Sequence, residues 1–78
     1  MPKKIFVGDL NVTTTESTLT TVFSPYGTIV ELTLNSFPSG PNTADCEYTT
    51  DAAGTAAING ENGSTIDGST ITVTAAPS

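Results

Sequence analysis

Hydrophobic residues along this chain fall in short, spaced groups, a pattern that predicts alternating strands and helices. The first group, Ile5–Val7, is rich in β-prone residues and is followed by a glycine, so it predicts a strand. The second group recurs at the spacing of one helix face and consists of Leu19, Val22 and Phe23. Thr13 or Thr14 can cap the start of this helix, and Pro25 ends it. The pattern therefore predicts a strand followed by a helix over residues 13–23.

The rest of the chain predicts two further strands, a second helix and a last strand. Residues 28–34 and 43–49 both alternate hydrophobic with polar positions, as half-buried strands do. Their predicted inner residues are Val30, Leu32, Leu34, Ala44, Cys46 and Tyr48. Asp51 is expected to cap a helix over residues 52–58, and residues 70–74 form the fourth strand. This order predicts an α+β, ferredoxin-like βαββαβ sandwich, in which two helices cover one face of a four-stranded antiparallel sheet.

Composition narrows how the chain can fold and what it can bind. The 78 residues carry 8 acidic side chains and two lysines, a net charge of −6, with neither arginine nor histidine. One cysteine cannot form an intrachain disulfide, and without histidine the usual transition-metal ligand sets are missing. We therefore expect one domain over residues 1–78, with its core in residues 4–75, that folds by packing alone and uses no metal or cofactor. No long apolar run predicts a membrane span or a signal sequence, so a soluble, intracellular location is expected.

The predicted elements carry residues that resemble the RNA recognition motif (RRM) family. Ile5–Leu10 is similar to the family's first-strand signature, with Asp9 where asparagine is usual. Positions that match the family spacing through the first helix into the second strand are Leu10, Thr14, Glu16, Leu19, Phe23, Tyr26 and Gly27. Residues 62–73 match its ending in the same register. The resemblance implies a sheet in the spatial order fourth, first, third, second strand.

The resemblance also implies a function, the binding of single-stranded RNA by aromatic side chains on the open face of the sheet. Of the three expected aromatic positions, only the one in the first strand is aromatic, and it holds Phe6. Thr43 and Asp45 occupy the two stacking positions of the third strand. Lys3 and Lys4 are the sole basic residues, and at a terminus they are expected to favour solubility over phosphate contact. The departures from the family pattern thus fall on the binding face.

Three hypotheses about function remain open. The favoured one is a designed or redesigned sequence on the RRM fold, made to fold without a native activity, because sixteen residues are threonine and Asp45, Glu47 and Glu31 make the binding face acidic. The alternative is a module that binds single-stranded RNA weakly through Phe6, Thr43, Asp45, Lys3 and Lys4. The third is a protein-interaction module that uses a helix face or an exposed aromatic residue such as Phe37.

Enzymatic activity is not expected. Cys46 shares the predicted inner face of its strand with Ala44 and Tyr48 and has no histidine to activate it, so it is interpreted as a core residue. We expect a monomer with no membrane contact. Gly54, inside the second predicted helix, suggests only modest stability, and helix propensity alone predicts that Gly54→Ala stabilises the fold by about 0.5–1 kcal/mol.

Overall fold

The computed structural model describes residues 2–76 and contains the predicted order of strands and helices. In chain order the elements are β1 (Lys3–Leu10), α1 (Glu16–Phe23), β2 (Ile29–Asn35), β3 (Asn42–Tyr48), α2 (Asp51–Glu61), β4 (Thr65–Ile66), β5 (Ser69–Thr70) and β6 (Thr72–Ala75). A short 3₁₀ turn, Ser24–Tyr26, follows α1, and β4 and β5 form a small separate hairpin. The main sheet is antiparallel in the order β2-β3-β1-β6, which confirms the predicted spatial order with β6 as the fourth strand.

The hydrophobic core lies between the two helices and one face of this sheet. Its largest fully buried side chains are Tyr48, Phe23, Ile5, Leu10, Leu19, Ile71, Val7, Val73 and Cys46. Helix α2 contributes Ala53 and Ala57, whose small side chains let the helix lie close to the strands. Because successive residues of a strand point to opposite faces, the neighbours of these buried residues form a second face that neither helix covers.

Val30 does not belong to the inner face of β2, contrary to the prediction from alternation. A β-bulge interrupts the pairing of β2 with β3, because Ile29 pairs with Tyr48 and Glu31 pairs with Glu47, the very next residue of β3. Val30 is the extra residue of the bulge and is 57% exposed. Ile29 packs against the core in its place. The bulge therefore shifts the alternation by one residue at the start of the strand.

Both helices begin with a threonine cap, at positions that differ from the predicted ones. Thr15, and neither Thr13 nor Thr14, caps α1 by accepting a hydrogen bond from a backbone N–H of the first turn. Thr50 caps α2 in the same way, and Asp51 is the first residue of that helix. Thr14 is buried instead, and its hydroxyl does not cap the helix because it donates a hydrogen bond to the carboxylate of Asp67.

The structure removes the basis for expecting Gly54→Ala to stabilise the fold. Gly54 is helical and buried, as its position in α2 requires. A Cβ atom at this position would lie only 2.3 Å from Cγ and 2.8 Å from Cβ of Lys3 on β1. The glycine is thus a point of close approach between helix and sheet, and the substitution is expected to destabilise the domain.

Candidate nucleic-acid interface

The face of the main sheet opposite the helices, called the open face below, is built from alternate residues of four strands. Its side chains are Lys4 and Phe6 on β1, Glu31, Thr33 and Asn35 on β2, Thr43, Asp45 and Glu47 on β3, and Thr72 and Thr74 on β6. Phe6 lies near the centre, since it pairs with Asp45 on one side and with Thr74 on the other. The predicted site residues Lys4, Phe6, Thr43 and Asp45 are therefore brought together on one surface.

The ring of Phe6 rests beside the space left by Gly8. A Cβ atom at Gly8 would lie 3.4 Å from Cε2 of Phe6 and 2.8 Å from the hydroxyl oxygen of Thr72. The side chain of Phe6 is half-buried, so part of the ring remains open to solvent. Its place on the outward side follows from the buried residues Ile5 and Val7 on either side of it. This ring is one aromatic surface on which a base can stack.

Hydrogen-bonding side chains occupy the two positions of β3 that the sequence resemblance predicted for stacking. Thr43 and Asp45 face outward and are half-buried, as the alternation predicted. The amide nitrogen Nδ2 of Asn35 on β2 donates to Oγ1 of Thr43 and to Oδ2 of Asp45, both at 3.2 Å. Asn35 thus holds both side chains in a polar link across the strand pair. Sequence reasoning missed Asn35, although its outward position two residues after Thr33 is readable from the alternation of β2.

Carboxylates outnumber ammonium groups on the open face. Glu31 and Glu47 are direct cross-strand partners, and Lys4 is the partner of Glu47 on the other side. Asp45 stands next to Phe6, and Asp9 accepts a 3.4 Å hydrogen bond from Thr72 at the β6 side. Like charges in direct cross-strand pairs repel each other. The surface is consequently acidic around its single ring.

The two lysines lie on opposite faces of β1. Lys4 alternates with the buried residue Ile5 and belongs to the open face. The Cβ and Cγ atoms of Lys3 instead approach Gly54 of α2, so its stem runs along the helix side of the sheet. A phosphate contact by Lys4 stays a prediction of the alternative, RNA-binding hypothesis alone, and the pair cannot form one continuous basic patch on the open face.

Beneath the open face, Cys46 and Tyr48 are fully buried. Burial raises the pKa of the Cys46 thiol to about 11, which keeps it protonated and unreactive at neutral pH. The hydroxyl of Tyr48 donates a 2.6 Å hydrogen bond to the carbonyl oxygen of Phe23, which ties β3 to the end of α1. Within residues 2–76 no three histidine, cysteine, aspartate or glutamate side chains cluster so that they could hold a metal ion. In the same part of the chain, no helix has the length and apolar character needed to span a membrane.

Comparison with known proteins agrees with this architecture. The family model described as RNA recognition motif matches residues 5–72. The chain belongs to the RNA recognition motif family. The assignment of Phe6, Thr43 and Asp45 to the three aromatic positions of the family stays a prediction from the sequence resemblance. A search of curated proteins found no match.

Solved RRM structures share the fold at low sequence identity. The first two RRM domains of the yeast poly(U) binding protein superpose with a TM-score of 0.93 at 23% identity, covering 97% of this chain and 47% of that chain. The complex described as SXL-lethal protein with RNA gives 0.83 at 24% identity, covering 95% and 47%. RRM3 of Pes4 gives 0.89 at 26% identity, covering 97% and 93%. This chain therefore spans about half the length of the first two proteins and nearly all of the third.

Proposed function

We propose that this RRM domain retains the family fold while its open face is largely disabled for binding single-stranded RNA. The observation that carries the proposal is the occupation of the two β3 stacking positions by Thr43 and Asp45, tied together by Asn35. Stacking of a base on an aromatic side chain contributes about 1–3 kcal/mol, so two missing rings remove roughly 2–6 kcal/mol. That loss corresponds to an affinity lower by about 30-fold to 20,000-fold.

The charge of the open face supports the same proposal. RNA-binding surfaces gain affinity when lysine and arginine displace the counterions of phosphate groups. Here Glu31, Asp45 and Glu47 face the incoming strand, and Lys4 is the sole lysine whose alternation places it among them. A polyanion approaching this surface is repelled, which adds to the missing stacking energy.

The two sides of β3 differ, because the buried side is hydrophobic and the open side is polar or acidic. A sequence that was made to fold without a native activity accounts for this difference. Ala44, Cys46 and Tyr48 are fully buried and preserve the hydrophobic side of the strand. The open side holds small polar or acidic residues at the positions that bind RNA in the family. Selection for folding alone constrains the buried residues of β3 and leaves the residues on its open side unconstrained. Natural relatives with the same acidic open face in a genome would contradict this explanation.

A second candidate function is weak binding of single-stranded RNA centred on Phe6. The ring is partly open to solvent, lies at the family position and has Lys4 two residues away on the same strand face. One ring supplies about 1–3 kcal/mol, which is too little for strong binding by itself but enough for a detectable contact. Backbone groups at the strand ends would have to provide the rest.

Protein interaction through Phe37 is a third candidate. Phe37 is 49% exposed in the loop between β2 and β3, and Val12 is 57% exposed in the loop after β1. A Cβ atom at Gly40 would lie 2.7 Å from Cγ1 of Val12, so the two loops meet at this end of the sheet.

Titration with short fluorescein-labelled RNAs separates these candidates. At physiological ionic strength, about 0.15 M, we expect the unmodified domain to show no saturable change in anisotropy. The double substitution Thr43→Phe with Asp45→Phe restores two rings, and weak binding should then emerge. Thr43→Leu with Asp45→Leu is the matched control, since it removes the same charge without adding a ring, and it should stay inactive. Phe6→Ala in the restored variant should weaken binding again.

Two outcomes of this titration would contradict the proposal. Saturable, sequence-dependent RNA binding by the unmodified domain, lost on Phe6→Ala, would refute the proposed disabled face and establish the second candidate. Equal binding by the phenylalanine and leucine variants would show that charge removal alone restores affinity, and that the missing rings are not the cause.

A further inference from the structure

We propose that the open face can bind an extended basic peptide, with arginine or lysine side chains at alternate positions. The inference rests on the proposed loss of RNA binding, since the same face cannot favour a polyanion and a polycation. Its starting point is the arrangement of an aromatic ring with carboxylates on a sheet face that neither helix covers. Within the described residues, this face combines the central ring of Phe6 with the acidic row of β3.

The ring and its nearest carboxylate form a site for one cation. Phe6 and Asp45 are direct partners in the β1–β3 pairing, and direct partners have Cβ atoms about 4.5–5.5 Å apart. A guanidinium or ammonium group lying over the ring face is attracted by the ring electrons and is within reach of this carboxylate. The hydrogen bond from Asn35 to Oδ2 holds the carboxylate in place. Arginine suits the site best, because its planar group both stacks on rings and forms paired hydrogen bonds with carboxylates.

A second cation position lies one step along β3. Glu47 is two residues from Asp45 on the same face, a separation of roughly 6.5–7 Å along a strand. Glu31 is the cross-strand partner of Glu47, so two carboxylates meet there. This pair costs stability in the free domain, and a bound cation between them relieves the repulsion.

The spacing of the two positions defines the occupant. In an extended peptide, alternate side chains point the same way and recur at the same 6.5–7 Å, roughly. A peptide that lies along β3 can therefore place its first and third side chains over Asp45 and Glu47. Lys4 neutralises part of the charge of Glu47 from the other side, which makes the Phe6–Asp45 position the stronger of the two. The overall charge of −6 draws such a peptide toward the domain and disfavours nucleic acid.

The test uses two labelled hexapeptides of equal composition, both with three arginines and three serines. One alternates arginine and serine, and the other has arginine at its first, second and fifth positions, so that no two of its arginines are two residues apart and share a face at the required spacing. Anisotropy titration of the whole domain should show saturable binding of the alternating peptide that weakens as salt is raised. The second peptide, which cannot place arginines over both carboxylate positions at once, should bind at least threefold more weakly. Amide chemical-shift changes in the unmodified domain should map to β1 and β3 around Phe6, Asp45 and Glu47.

Matched variants separate recognition from general attraction. Asp45→Asn with Glu47→Gln should lower affinity at least tenfold. Glu16→Gln with Asp51→Asn removes the same charge from exposed helix starts and should lower it less than twofold. Phe6→Leu keeps the apolar bulk and should weaken binding about two- to fivefold, the range expected for a lost cation–ring contact.

Three results would overturn the inference: equal losses in the two charge-removal variants, shift changes that map to the helices, or no saturation at millimolar peptide. The shift mapping needs no variant, so an unfolded mutant does not leave the question open. A parallel RNA titration keeps the two proposals apart. If neither RNA nor peptide binds, the disabled face stands and the peptide site fails, whereas RNA binding by the unmodified domain contradicts both.

Discussion

Gly54→Ala is the substitution for which the sequence and the structure predict opposite signs. Gly54 lies in the fourth position of α2, where alanine is the better helix former by about 0.8–1 kcal/mol. If helix propensity were the whole effect, the variant would be more stable than the parent. The structure adds a steric term, because the missing side chain is the space into which Lys3 of β1 fits.

The distances show which term is larger. The new methyl carbon would lie 2.3 Å from Cγ and 2.8 Å from Cβ of Lys3, where ordinary contacts between carbon atoms begin near 3.5 Å. Cβ is fixed to the backbone of β1, so rotation of the lysine side chain removes only the shorter contact. The helix or the strand must move by several tenths of an ångström. Overpacking of this kind costs about 1–3 kcal/mol, which exceeds or offsets the propensity gain and leaves a net loss of about 0–2 kcal/mol.

Urea unfolding followed by circular dichroism measures this balance. Thr55→Ala is the matched control, since Thr55 is the next residue of α2 and is exposed, and it should stabilise by about 0.5 kcal/mol. Lys3→Ala removes the Cγ atom that the new methyl group would overlap. The cost of Gly54→Ala in unfolding free energy should therefore be smaller in that background. A gain of 0.5–1 kcal/mol, roughly, from Gly54→Ala in the parent would refute the close approach of α2 to β1.

Three further predictions follow from other contacts. Glu31→Lys should stabilise the domain by about 0.5–1.5 kcal/mol at low salt, since it turns the repulsive pair with Glu47 into an attractive one; an equal gain in a Glu47→Gln background would contradict this. Tyr48→Phe should cost about 1–2 kcal/mol in urea unfolding, because the buried carbonyl of Phe23 loses its 2.6 Å donor, and an unchanged midpoint would argue against that bond. The raised pKa of Cys46 means that its contribution to stability is present below pH 9 and is lost as pH rises toward about 11. Urea unfolding should therefore show a decline in stability at alkaline pH, and Cys46→Ala should flatten it.

Much of the fold was predictable from local patterns. The alternation of β3 placed Ala44, Cys46 and Tyr48 inside and Thr43 and Asp45 outside, as the structure confirms. Period-two alternation is a property of one strand, so no knowledge of its neighbours is needed. The order of elements and the family spacing then led to the four-stranded sheet with both helices on one face. The outward position of Phe6 followed from the same reasoning.

Apart from the exact helix caps, the features that the sequence did not reveal depend on contacts between different elements. The bulge that exposes Val30 arises where β2 must match the register of β3, and alternation within β2 cannot show it. Asn35 became part of the candidate site only because pairing set its amide beside Asp45. The expected sign of the stability change for Gly54→Ala differs between sequence and structure because a lysine 51 positions earlier fills the space beside the glycine. Local propensity and periodicity determined the elements and their faces, whereas register and close packing, which act between distant segments, decided how those faces meet.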